Sequence, residues 1–224
     1  MLLISFFSTK KLLIYLPVWC FGKNKITIKL HTLLILYGVF GCIIIGSFNS
    51  LWVMLFLVVF INLITPLFII DYKIGYLPDI LTYPLLWLGL LYQIHLPNGN
   101  VVSAIYAVLI SYLVMLMVVT LVEKQTSQPQ MGRGDFKLVA ACSAWLGVWQ
   151  LPYFLGTAAG VGLLQYWVIY GLLPKIYQKK QQANQAYPET LSGEKIAKKT
   201  KTIPFGPALI ISASIWLYLS IIEY

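Results

Sequence analysis

Charge is scarce in this chain: Asp, Glu, Lys and Arg together make up 10% of its 224 residues, and only seven of them are acidic. An ordinary soluble domain carries about 25% charged residues, so a surface that meets water all round is excluded. Cysteine is equally sparse. Cys20, Cys42 and Cys142 stand far apart, none with a second cysteine two or three positions away, which excludes a cysteine zinc site and a disulfide framework. The N-terminus lacks a small-residue cleavage site after a basic stretch, so a cleaved signal peptide is not expected. No internal repeat is evident, and the paired, broken helices that an inverted-repeat transporter would want are not obvious in two halves of the chain. The net charge of +9 does not form a basic stripe interleaved with exposed aromatics, and nucleic acid is therefore not an expected partner.

What the chain has instead is hydrocarbon. It is 59% hydrophobic with a mean hydropathy of +0.81, the composition of an all-α, polytopic membrane protein. Apolar segments at 31–47, 51–70, 80–96, 101–122, 136–150, 152–173 and 203–222 predict about seven spans in a helical bundle. Lys and Arg occupy every second connection: Lys23, Lys25 and Lys29, then Lys73, then Lys124 and Arg133, then Lys175 to Lys201. The connections around Asn49, Asn98 and Gln150 contain none. The positive-inside rule then puts the N-terminus in the cytoplasm and the C-terminus in the periplasm of a bacterial inner membrane. Residues 1–30 read as a cytoplasmic or interfacial segment, with 12–21 too short to span. Residues 31–224 read as the membrane-embedded domain, interrupted by a basic cytoplasmic loop at 174–202 that reads first as a solvated charge run and second as a segment that could meet anionic lipid.

The fifth span offers about 15 apolar residues where about 20 are usual. Its small residues Ala140, Ala141, Ser143, Ala144 and Gly147 permit close helix approach, and Gly156 and Gly160 predict a small-residue packing face on the sixth.

Against this background carboxylates are costly, and an acid at the membrane edge is by default a functional residue. Asp71 ends the second span, where the helix dipole disfavours a negative charge, so a purely structural reading is weak there. Asp135 ends the cytoplasmic loop just before the fifth span, beside Gly132 and Gly134, which let the backbone turn and approach a ligand closely. Its competing reading is an ordinary helix N-cap. Asp79, after Pro78, reads as the cap of the third span. Two carboxylates held together share a proton, so that one accepts a proton from water while the other polarises a carbonyl. A Ser or Cys nucleophile is disfavoured, because His31 and His95 fall on opposite sides of the expected bilayer and neither has an evident partner. Asp71, Asp79, Glu123 and Asp135 would suit only a hard cation such as magnesium; that alternative stays open, but no metal or cofactor is assigned.

The run Ile70-Asp71-Tyr72-Lys73-Ile74-Gly75-Tyr76-Leu77-Pro78-Asp79, continuing to Leu86, resembles the first signature of the type IV prepilin peptidases, membrane aspartic peptidases of the GxGD group. Met131-Gly132-Arg133-Gly134-Asp135-Phe136-Lys137-Leu138 matches their GxGD-F-K pattern, and Ile203-Pro204-Phe205-Gly206-Pro207 is similar to their C-terminal element. The resemblance covers the chain from about Leu51 onward and makes the membrane-embedded domain 31–224 a peptidase domain. It implies that Asp71 and Asp135 are the catalytic pair, with Gly132, Gly134, Lys137, Pro78 and Asp79 in supporting or substrate-binding positions. It also implies a type IV prepilin or pseudopilin substrate, cut on the cytoplasmic side after a glycine that follows a short basic leader. Longer members carry an N-terminal insertion with two CxxC pairs and also methylate the new N-terminus; the lack of that region here puts the second activity in question. Two rival readings use the same acids: a proton-coupled transporter and a non-catalytic partner of a pilus or secretion assembly. Oligomeric state is not assigned.

Overall fold

The computed structural model describes residues 51–126, 132–168 and 205–222. The expected first span, segment 12–21 and the basic loop 174–202 lie outside the described residues, as does Cys20 and Cys42. Six helices make up the described chain: α1 (Leu51–Ile74), α2 (Asp79–His95), α3 (Val101–Thr126), α4 (Arg133–Leu146), α5 (Leu151–Trp167) and α6 (Gly206–Ile222). Among the described residues there is no strand.

Two helices are long and apolar enough to cross a membrane, Leu51–Lys73 in α1 and Val101–Lys124 in α3. The remaining expected spans coincide with shorter helices of 14 to 17 residues. The two long helices are used differently. Only 17% of the apolar stretch of α3 is buried within the protein, against 56% for α1. Ile105, Leu109, Leu113, Leu116 and Met117 of α3 point outward, as expected for a helix whose solvent is lipid.

The centre of the bundle is α4, packed against α2, α3 and α6. Leu138, Val139, Ala141, Cys142, Ser143 and Ala144 are wholly inaccessible, so the small residues do permit close approach. The contact is tightest where Trp145 crosses α2. A Cβ added at Gly89 would stand 2.6 Å from Trp145 Cδ1, while the indole N–H donates to the Leu85 carbonyl at 2.9 Å and Gln93 Nε2 donates to the Trp145 carbonyl at 2.7 Å. Phe60 and Tyr92 close over the same ring at 4.8 and 5.1 Å between centroids. The expected fifth span ends early. Gly147 takes φ 78°, a left-handed conformation open to glycine, and stops the helix, leaving Trp149 on the surface.

The face expected from Gly156 and Gly160 packs against nothing among the described residues. Both glycines are exposed and a Cβ on either would meet nothing within 4 Å, because α5 turns other residues toward its partner α6. Gly162 makes the close contact instead, against the ring of Phe205. Polar side chains tie the pair further: Ser212 Oγ donates to the Phe154 carbonyl at 2.9 Å and hydrogen-bonds Thr157 Oγ1, to which Trp216 Nε1 donates at 3.0 Å. Unsatisfied polar groups are costly away from water, so this network favours one register of α5 on α6. His95, at the end of α2, bonds the Leu91 carbonyl at 2.9 Å and packs its ring on Trp52 and Phe56, the role of a helix-end residue.

Candidate active site

Three helix ends converge where the sequence puts its motifs. The first is the C-terminus of α1. Gly75, with φ 69°, donates its N–H to the Asp71 carbonyl at 2.7 Å, a left-handed glycine cap that ends the helix and leaves Asp71 in its last turn. The Asp71 side chain turns inward and is 4% exposed.

The second is the N-terminus of α4. Gly132 is the N-cap and Asp135 stands three residues further in, so Asp135 is not the cap the alternative reading would make it. Its carboxyl reaches back to accept a backbone hydrogen bond from Gly132, the way an N3 acid does in a capping box. Gly132 lies beside this carboxyl: a Cβ there would stand 3.5 Å from Asp135 Oδ2, in ordinary van der Waals contact. Gly134 faces the loop after α1: a Cβ at Gly134 would come within 3.0 Å of Leu77 Cβ, and Leu77 is buried. The two glycines of the motif thus have separate tasks, one beside the acid and one seating the loop that follows the other acid.

The third is the N-terminus of α6. The backbone N–H of Gly206 bonds the Asp71 carboxylate, and Gly206 lies so close that an added Cβ would collide with Asp71 Oδ2 and Cγ. Oδ2 itself is fully buried and takes no well-formed hydrogen bond among the described residues. This contact is the feature the sequence reading lacks. The motif around Gly206 is visible in the sequence, but nothing in its spacing says that it closes on Asp71.

Asp71 and Asp135 lie within electrostatic reach of each other. Asp135, one residue before the apolar run 136–150, has its carboxyl pushed up to about 7, first by burial and then by the charge of Asp71, with the Gly132 bond opposing. Two acids so placed cannot both ionise cheaply near neutral pH, so the pair retains a proton. One water between them would meet both a base and an acid.

Asp79 is not a side-chain cap. The N-cap of α2 is Pro78, whose carbonyl accepts from Leu81 and Thr82, and Asp79 Oδ2 instead accepts from Lys137 Nζ at 2.7 Å. Among the described residues no three His, Cys, Asp or Glu side chains gather as metal ligands, so Asp79 and Glu123 do not join the two acids in an oxygen-ligand set. Cys142, in the second half of α4, is fully buried.

Comparison with known proteins agrees with the motifs. Residues 57–168 match the type IV leader peptidase family, a stretch that contains Asp71 and Asp135. A prepilin leader peptidase/N-methyltransferase of Neisseria gonorrhoeae is 30% identical over 142 residues, 63% of this chain and 50% of the relative. One of Dichelobacter nodosus is 40% identical over 109 residues, 49% of this chain and 38% of the relative. One of Escherichia coli K12 is 32% identical over 157 residues, 70% of this chain and 60% of the relative. The chain thus spans about half the length of the curated relatives it matches. No solved structure gives a significant match.

Proposed function

Because this chain belongs to the type IV leader peptidase family, we propose that it is a membrane aspartic endopeptidase that removes the basic leader of type IV prepilins or pseudopilins at the cytoplasmic face of the inner membrane. The observation that carries this reading is the pairing of Asp71 and Asp135, both buried and electrostatically coupled, at the ends of α1 and α4. The ionised member takes a proton from water as the water oxygen attacks the scissile carbonyl carbon, and the protonated member hydrogen-bonds and then protonates the carbonyl oxygen. The tetrahedral intermediate collapses by breaking the C–N bond, with a proton passing to the departing amine. The leader leaves with the new carboxyl and the pilin keeps the new N-terminus.

Placement favours hydrolysis over transport. A proton relay through the membrane wants acids near the midplane, whereas both acids here sit at helix ends. A substrate with a basic leader and an apolar helix would hold its leader in the cytoplasm and its helix in the bilayer, bringing the scissile bond to those ends.

The reading is tested by co-expressing the protein with a prepilin from the same genome and sequencing the N-terminus of any faster-migrating product. Cleavage on the leader side of the apolar helix is expected; an unchanged precursor with each neighbouring prepilin would count against a peptidase. The same reaction carries a pH signature. The Asp135 carboxyl is raised to about 7, so its proton is held below that pH and lost above it. Initial rates are therefore expected to fall as pH climbs from 7 to 9, and rates that keep rising there would contradict a shared proton.

The seven-span topology is part of this proposal, supported by loop charges and by the two long helices. Single cysteines introduced at Ser127 and Asn98 should react with a membrane-impermeant thiol reagent from opposite sides. Labelling of both from one side would undo the argument that the two acids face the cytoplasm together.

A further inference from the structure

Lys137 follows Asp135 by two residues, and its side chain leaves α4 altogether. Its ammonium sits 2.7 Å from Asp79 Oδ2 and 5.5 Å from the centroid of the Tyr83 ring. Asp79 and Tyr83 are one turn apart on α2 and so present one face, which together make a seat for a cation with a carboxylate at one end and a π-surface at the other. As a source of stability this pair counts for little, since the two side chains are 33% and 45% exposed and exposed ion pairs contribute about 0–1 kcal/mol. Its position matters more. The first turn of α4 has no side-chain N-cap bond; it is held by the bond from Gly132 to Asp135 within the turn, by Leu77 seated on Gly134, by Phe136 set edge-on to Tyr112 of α3, and by this ion pair. Leu77 holds the turn to the approach to α2 by packing, and the ion pair adds a polar tie to the first turn of α2 itself.

We propose that Lys137, seated on Asp79 and Tyr83, is a positioning residue that braces the first turn of α4 against α2 and so sets where Asp135 stands relative to Asp71. This rests on the peptidase reading and gives the lysine of the GxGD-F-K motif a role other than substrate binding. A brace acts on the reacting geometry and leaves the docking of the leader alone. Small displacements of a catalytic group are costly in rate, about a hundredfold for 1 Å.

The test uses the full-length protein in detergent, with rates normalised to folded protein by size-exclusion chromatography. Lys137→Met and Asp79→Asn are each expected to lower kcat about tenfold with KM unchanged, and the double variant to be no worse than either, since partners in one interaction are not additive. Lys137→Arg keeps the charge and the ring contact and should restore most of the rate. A merely structural tie would reduce the folded amount without changing kcat per folded molecule. A rise in KM at constant kcat would place Lys137 at the substrate and overturn the brace. Cleavage by the wild type with equal kcat in all three single variants would also remove it while leaving the peptidase intact. No cleavage by the wild type would remove both.

Discussion

Asp71→Asn and Asp135→Asn should each reduce prepilin cleavage about a thousandfold, within the range that loss of a positioned acid or base produces. The amide is nearly isosteric with the acid, so neither change opens a cavity beside Leu67, Ile70 or Leu138, and the folded yield should stay near that of the wild type. What is lost is chemistry. Asn cannot take the proton from water, nor can it give one to the carbonyl oxygen. Because the two acids share one proton and one water, the double variant should be scarcely slower than either single one. Reagents for serine and cysteine proteases should have no effect, as the described cysteine, Cys142, is buried within α4. Wild-type turnover by either single variant would end the dyad, and strong inhibition by chelators would return attention to a hard cation held by carboxylates.

The second large effect is expected at Gly206. Glycine at the first position of an exposed helix is normally replaceable by alanine, and the replacement often stabilises by restricting the unfolded chain. Here the new methyl would run into the Asp71 carboxyl, so the acid or the start of α6 must shift. We expect Gly206→Ala to lower kcat about a hundredfold, the cost of a displacement near 1 Å at a reacting group, in protein that still folds. Gly160→Ala supplies the contrast. Among the described residues a Cβ there would meet nothing within 4 Å, and cleavage should be unchanged. Equal turnover by both variants would show that the α6 backbone is not part of the site.

The described helices can be read from the chain, but the contacts between them cannot. Apolar runs locate α1 and α3 to within a few residues, because length and composition are local properties. Asp71 could be singled out because a carboxylate in the last turn of an apolar helix opposes the dipole. A Pro-Asp pair at a helix start suits capping, yet the partner of Asp79, Lys137, lies far along the chain and takes the carboxylate instead. Gly156 and Gly160 have the spacing of a packing face, but spacing does not say which side of α5 meets α6; Phe205, seated on Gly162, decides that. The early end of α4 turns on the left-handed backbone of Gly147, a feature the apolar count across 136–150 does not register.

The contrast between α3 and α4 also bears on how such a chain can diverge. On α3 the outward residues meet a liquid, and a liquid accepts Leu, Ile, Val, Met or Phe alike, so the helix is free to wander through sequence space as long as it stays greasy. On α4 the neighbours are solid. Ala141, Ala144 and the indole lodged at Gly89 leave no room for one more methyl group, and a change at any of them demands a matching change on another helix. The tightest packing among the described residues is therefore concentrated in the fourteen residues of α4, where a substitution should be tolerated less readily than on the outward face of α3.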